Sequence, residues 1–131
     1  IIYVHHEIEN KNEEIKRIKE KNKIAGIVLH SINKYENLEE TINGYEQILV
    51  LSIEKPGLSG QKFYEKSLNL INRINSFKFR NKLTVCVDGG VKSNIINKFI
   101  SEKVVSGSEV LNSNRPVRKI MMLQTVSRYE K

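Results

Sequence analysis

The chain has 131 residues, 39% of them hydrophobic, which suffices for one ordinary core, and its 22 Lys and Arg against 15 Asp and Glu give a net charge of +7. Those cations are interleaved with Asn and Glu, as in Lys11 to Lys23, with no aromatic residues between them, so a nucleic-acid surface is not expected. No apolar run approaches the ~18 residues of a membrane span, no signal peptide is visible and Cys86 has no partner for a disulfide, so a soluble, cytoplasmic protein without membrane contact is expected.

Strand and helix patterns alternate along the chain. Ile1 to Val4 is a short apolar run that opens without Met, which suggests missing upstream sequence; Ile8 to Asn22 then places Ile8, Ile15 and Ile18 at helical spacing, with Glu13 four residues before Arg17. Ile24 to Leu29 is the second strand, followed by a helix near Glu36 to Tyr45 on Leu38, Ile42 and Tyr45. Ile48 to Ile53 is the third, followed by the loop EKPGLSGQ and a helix carrying Phe63, Leu68, Ile71 and Ile74. Leu83 to Val87 is the fourth, its helix predicted from Ser93 as N-cap with Ile95, Ile96, Phe99 and Ile100 apolar. Lys103 to Gly107 holds a short fifth strand, and a last helix from about Arg115 carries Val117, Ile120, Met121 and Gln124.

Five strands each followed by a helix imply an α/β fold with parallel pairing through right-handed crossovers, and no linker divides residues 1–131 into domains. The strands are continuously apolar, as when both faces are covered. An open doubly wound sheet and a segment of a (β/α)₈ barrel both satisfy this pattern, and at 131 residues the chain is about half of a typical barrel of ~250. Both designs place function at the carboxyl ends of the strands, where Asp88 follows LTVCV. The loops after the last three strands are rich in small residues: Gly57, Leu58, Ser59 and Gly60; Gly89 and Gly90; Gly107 and Ser108. Glycine allows positive φ and close backbone approach, which suits an anion site.

The order VHHE, LVLSIEKPGLSGQKF, VDGGV and VVSGS, from His5 to Ser108, resembles the latter half of the ribulose-phosphate 3-epimerase family. That resemblance implies a TIM-type barrel, incomplete here at its N-terminus and beginning at the fourth strand. It also implies a phosphorylated ketose as substrate, a homo-oligomer, and a divalent cation, zinc or iron with manganese or cobalt as alternates. The implied reaction interconverts ribulose 5-phosphate and xylulose 5-phosphate by proton exchange at C3 between two aspartates on opposite faces. Asp88 matches one aspartate, both metal ligand and proton carrier, with the remaining ligands expected upstream of Ile1. Gly57, Leu58, Ser59 and Gly60 match a mobile loop, and Gly89, Gly90, Gly107 and Ser108 match phosphate contacts. His5 and Glu7 match the strand-end VHxE and form a candidate site of their own, while His6 and His30 match no functional position.

The departures from that pattern are Leu51 for methionine, an extra Lys55 before Pro56, Leu58-Ser59 in the loop, His30-Ser31 for an Asn-Pro turn, and a shortened segment at Ser101, Glu102 and Lys103. They admit a relative acting on a six-carbon ketose phosphate such as allulose 6-phosphate, or a non-catalytic phosphate-binding or assembly protein. The chain alone is expected to be inactive. His5 and Glu7 can converge across the strand end, whereas His6 points to the opposite face. Cys86 reads as a small buried hydrophobe, Ser59 as loop backbone, and Met121 and Met122 as core or interface filler.

Overall fold

The structure is a computed structural model that describes residues 1–125. Five parallel strands, β1 (Ile2–His5), β2 (Ala25–His30), β3 (Gln47–Leu51), β4 (Thr84–Asp88) and β5 (Lys103–Val105), pair in the order of the chain. Doubly wound sheets reverse their strand order; sequential order with a constant crossover hand keeps the connections on one face and curls the sheet toward a barrel. This is an α/β sheet of the TIM type, five strands wide.

The covered face is a continuous core. Ile27 and Leu29 of β2, Ile48 and Val50 of β3, and Val85 and Val87 of β4 pack against Leu38 and Ile42 of α2 (Leu38–Ile42) and Leu70, Ile71 and Ile74 of α3 (Ser67–Asn75). Helix α1 (Lys11–Glu20) adds Ile15 and Ile18 over Val4 of β1. Because side chains alternate along a strand, the other face carries a second set, none of whose apolar members belongs to those clusters. Register places His5, Val28, Leu49, Cys86 and Lys103 in one row across it, and His30, Leu51, Asp88 and Val105 in the next row toward the carboxyl ends. The Tyr3 ring lies over Gly26 on this face, 2.5 Å from where a Cβ would stand.

The sheet follows the expected strands to within about two residues, but several helices differ. Helix α1 starts at Lys11, leaving Ile8 exposed in the preceding turn, and Arg17 pairs with Glu14 at 2.9 Å, not with Glu13. Helix α2 stops at Ile42, because Asn43 is extended and Gly44 has φ +82°. Phe63 precedes α3 in an extended segment, buried and stacked on Phe99 with ring centroids 5.9 Å apart.

The helix predicted from Ser93 is reduced to a 3₁₀ turn at Ile96–Lys98. Adjacent β-branched Ile95 and Ile96 between Asn94 and Asn97 are poor helix formers, and the Ser93 hydroxyl donates to Glu109 Oε1 at 3.0 Å instead of capping. Beyond β5 an unforeseen short helix, α4 (Gly107–Leu111), precedes α5 (Pro116–Thr125). In α5 the buried anchor is Leu123, while Met121 and Met122, read as core or interface filler, are exposed, as are the apolar positions Val117 and Ile120.

At the opposite, amino end of the strands, Arg80 is buried and holds Glu102 through two contacts, Nη1 to Oε1 at 2.9 Å and Nη2 to Oε2 at 3.0 Å. The same guanidinium donates to Asn75 Oδ1 at 2.6 Å and to the Leu83 carbonyl at 3.1 Å. Glu102 Oε2 accepts from the Val85 N–H at 2.7 Å, while the Glu102 N–H donates to the Val85 carbonyl at 3.1 Å. The carboxylate thus takes the place of a ladder partner just before β5.

Candidate functional site

Asp88 is the last residue of β4, on the open face, beside Leu51 of β3 and Val105 of β5. Among the described residues no hydrogen bond or ion pair reaches its carboxylate, and burial pushes its pKa above the ordinary value. A carboxylate held this way keeps a proton more readily than a solvated one. Cys86, two residues earlier on the same face, is pushed up to about 11, first by burial and then by Asp88, so it stays a thiol and offers no nucleophile.

The backbone after Asp88 is pinned by Ser52, which is buried. The Ser52 N–H donates to the Asp88 carbonyl at 2.7 Å, and its hydroxyl lies 2.8 Å from both the Asp88 and Gly89 carbonyls. Gly90 has φ +64°, and a Cβ there would stand 2.2 Å from the Phe63 backbone nitrogen. Both the conformation and the space exclude a side chain. Gly90→Ala is therefore expected to cost roughly 2–4 kcal/mol, left-handed strain and overpacking together, and equilibrium urea unfolding would show it; a loss under about 1 kcal/mol would mean that the neighbouring segment yields.

Gly89, with φ +116°, sits against Ser52 and Ile53, and Gly57 and Gly60 also have positive φ. Gly107 differs from expectation: it begins α4 without positive φ, and a Cβ there would meet nothing within 4 Å. The loops after β4 and β5 are stitched together, with the Ser106 hydroxyl donating to the Val91 carbonyl at 2.6 Å and Ser93 to Glu109. Lys119 of α5 reaches the same Glu109 oxygen at 2.9 Å; its hydrogen bond is the largest cause of the depressed Glu109 pKa. The acid next to Ser108 is thereby paired. Asp88, Gly89, Gly90, Gly107 and Ser108 thus share one end of the sheet, while Gly57 to Gly60 lie in the loop beyond β3.

His5 and Glu7 converge, with Nδ1 3.5 Å from Oε2, while His6 packs edge-on against the Tyr35 ring at 5.7 Å and lies 3.1 Å from Lys11 Nζ. Glu7 is more engaged than its motif suggested. Asn33 Nδ2 and the Tyr35 hydroxyl both donate to Oε1, and Tyr35 also lies 3.2 Å from the His30 carbonyl. Burial, the largest single influence, pushes the Glu7 pKa up, but a hydrogen bond from its own backbone, the Tyr35 hydroxyl, His5 and Asn33 together outweigh it and leave it lowered. The unfolded carboxylate takes its proton near the ordinary 4.5 and the folded one only at lower pH, so this stabilisation is whole above 4.5 and lost as pH falls through the folded value. Glu7→Gln is expected to remove that part of the acid limb of a stability curve; an unchanged limb would show the network to be indifferent to the charge.

His30 was absent from every motif, yet it is buried with Nε2 2.8 Å from the Ile53 carbonyl, so that nitrogen carries the proton. Only pairing β2 beside β3 shows this contact. Among the described residues no group of three or more His, Cys, Asp or Glu is placed to hold a metal ion. Asp88 is a single oxygen donor, and the described residues do not by themselves make the divalent-metal site that the resemblance implies. No helix among the described residues is long and apolar enough to cross a membrane.

The family model described as "Ribulose-phosphate 3 epimerase family" matches residues 1–111. A protein named ribulose-phosphate 3-epimerase from Aquifex aeolicus is 30% identical, the match covering 84% of this chain and 54% of the relative. One of the same name from Buchnera aphidicola subsp. Baizongia pistaciae is 34% identical, over 86% and 52%. The chain spans about half the length of the curated relatives it matches. With the parallel sheet, its acid at a strand end and a match over most of its length, the chain belongs to the ribulose-phosphate 3-epimerase family.

Proposed function

We propose that this chain supplies one catalytic face and the phosphate end of a sugar-phosphate epimerase that interconverts ribulose 5-phosphate and xylulose 5-phosphate. The observation that carries the reading is Asp88: a desolvated carboxylate with no hydrogen bond among the described residues, at a parallel strand's carboxyl end, beside the positive-φ backbone of Gly89 and Gly90. The C3 proton of such a ketose is acidic because the C2 carbonyl takes up the electron pair of the broken C–H bond. Asp88 accepts that proton on one face, and a proton delivered to the other face re-forms the bond with inverted configuration. Asp88 is the one acid in its row of the open face, so this chain accounts for a single face. Glu7 is occupied by Asn33, Tyr35 and His5.

The backbone at Gly89, Gly90, Gly107 and Ser108 would receive the phosphate, and the 55–61 loop would close over the sugar. A divalent cation would find one ligand here in Asp88 and would stabilise the enediolate charge. A cytoplasmic setting is in keeping with the buried, unpaired Cys86, and a homo-oligomer belongs to the same reading. Titration of residues 1–131 with ribulose 5-phosphate is expected to shift the amide resonances of Gly89, Gly90, Gly107 and Ser108, and unphosphorylated ribulose is expected to leave them unchanged. Equal response to both sugars would remove the phosphate assignment. Residues 1–131 alone are expected not to exchange the C3 proton for deuterium in D₂O; exchange by the isolated chain would show that one face suffices. Turnover of allulose 6-phosphate and not ribulose 5-phosphate, in any form that does turn over, would move the substrate to the six-carbon series.

A further inference from the structure

A cavity of about 330 Å³ opens between the segment after β2 and the start of α3, above the core residues Tyr35 and Leu70. Ser31 and Lys34 line it from the first segment, and Tyr64, Lys66, Asn69 and Arg73 from the second. Lys66 already has helical backbone angles, so residues 66, 69 and 73 stand at i, i+3 and i+7 and share one face of α3. Both walls are fixed. The Ser31 N–H donates to the Leu51 carbonyl at 3.1 Å and the Tyr64 N–H to the Ser52 carbonyl at 2.9 Å, while Arg73 Nη2 joins the walls by donating to the Tyr35 carbonyl at 2.7 Å.

Three cations, Lys34, Lys66 and Arg73, line the cavity against one acid, Glu36, and none of the four is in an ion pair among the described residues. Glu65, beside Lys66, is taken by Lys98 at 3.3 Å, and the first turn of α3 holds no acid to offset its dipole. The neighbouring cavity shares Glu36 and Arg73 but carries Glu39 and Glu40 as well, which makes it a poor place for an anion. Ser31 Oγ is buried and has no hydrogen-bond partner among the described residues. A buried hydroxyl left so is costly, and rotation about its Cα–Cβ bond offers it to an oxygen in the cavity that Ser31 lines. At the rim, half-buried Tyr64 and 51% exposed Ile32 supply a ring and an aliphatic surface. The volume is at the small end of ligand pockets, roughly 300–1,000 Å³.

We propose that this cavity binds a small phosphate monoester, with Lys34, Lys66 and Arg73 on the charge of the phosphate, Ser31 and Asn69 donating to its oxygens, and the Tyr64 ring against its carbon body. Arg73 spends one N–H on Tyr35 and keeps the rest of its fork for the ligand. The site shares no residue with Asp88, Gly89, Gly90, Gly107 or Ser108. It is a second anion site on the chain, and it stands or falls apart from the proposed reaction.

Titration of residues 1–131 with inorganic phosphate and with phenyl phosphate, followed at the backbone amides by NMR, tests this, with potassium chloride of equal ionic strength as the blank. The amides of Ser31, Lys34, Lys66 and Asn69 are expected to shift and saturate with both phosphates, and phenyl phosphate is expected to bind several-fold tighter because its ring meets Tyr64. Lys34→Met combined with Lys66→Met, two exposed positions outside the core, is expected to weaken binding at these amides by about tenfold or more, while any response at Gly89 and Ser108 keeps its midpoint. Ser31→Ala is expected to weaken binding several-fold and to leave the urea unfolding midpoint no lower, since it removes a hydroxyl that the fold does not satisfy. Shifts that do not saturate, that potassium chloride reproduces, or that survive the double lysine variant would overturn the site. Phenyl phosphate binding no tighter than inorganic phosphate would overturn the choice of a monoester. A lower urea midpoint in Ser31→Ala would show that the fold holds this hydroxyl and would remove it from the site.

Discussion

Arg80→Met is expected to cost the fold roughly 3–5 kcal/mol, because it strips the partner from Glu102 in a buried setting where water cannot replace it. The side chains are 4% and 13% exposed, and the pair is bidentate. Glu102→Leu alone is expected to cost a similar amount, since it removes both the acceptor of the Val85 N–H and the bidentate carboxylate that the guanidinium holds. The double variant is expected to lose clearly less than the sum, because a buried pair replaced by apolar side chains of similar volume regains packing in place of two desolvated charges. Urea unfolding of the four proteins in the cycle checks this. Single variants within about 1 kcal/mol of wild type would show that the ion pair contributes no more than a surface one.

Asp88→Asn is expected to lower kcat by roughly 10²–10⁴-fold in any form of the protein that turns over ribulose 5-phosphate, the range by which a positioned acid or base accelerates proton transfer. The same change is expected to stabilise the fold at neutral pH. The Asp88 pKa is raised by burial, so ionising it costs folding free energy. That cost is complete above the raised folded value, shrinks as pH falls through it, and vanishes below the unfolded value of 3.8. The variant should therefore melt above wild type at pH 7 and converge with it in acid. Lower activity with no gain in stability would mean that Asp88 is not held against solvation; undiminished activity would remove it from the reaction.

Strand positions were legible because parallel strands buried on both faces leave runs of β-branched and aliphatic residues that few alternatives imitate. The helices were less legible. Ile95, Ile96, Phe99 and Ile100 have helical spacing, yet Phe99 is drawn to stack on Phe63, and the segment between turns instead of winding. Helix α5 carries its apolar residues all round, so spacing alone did not single out Leu123 as the one that is buried. Lys55 looked like an insertion, but its backbone is the partner that Gln61 pairs with.

What the sequence determined by itself is local or periodic: five strands, their parallel sense, and an acid followed by two glycines where β4 ends. The motif marked Gly90 as a turn glycine open to an anion, whereas the Phe63 backbone that leaves no room for a side chain there is seen only in the folded chain. The Arg80–Glu102 pair, the His30 contact with Ile53 and the Glu7 cluster each join residues 22 to 28 positions apart. Such contacts exist only once strand register has fixed which carbonyls and carboxylates face one another, and register is a property of the folded sheet, not of any segment read alone.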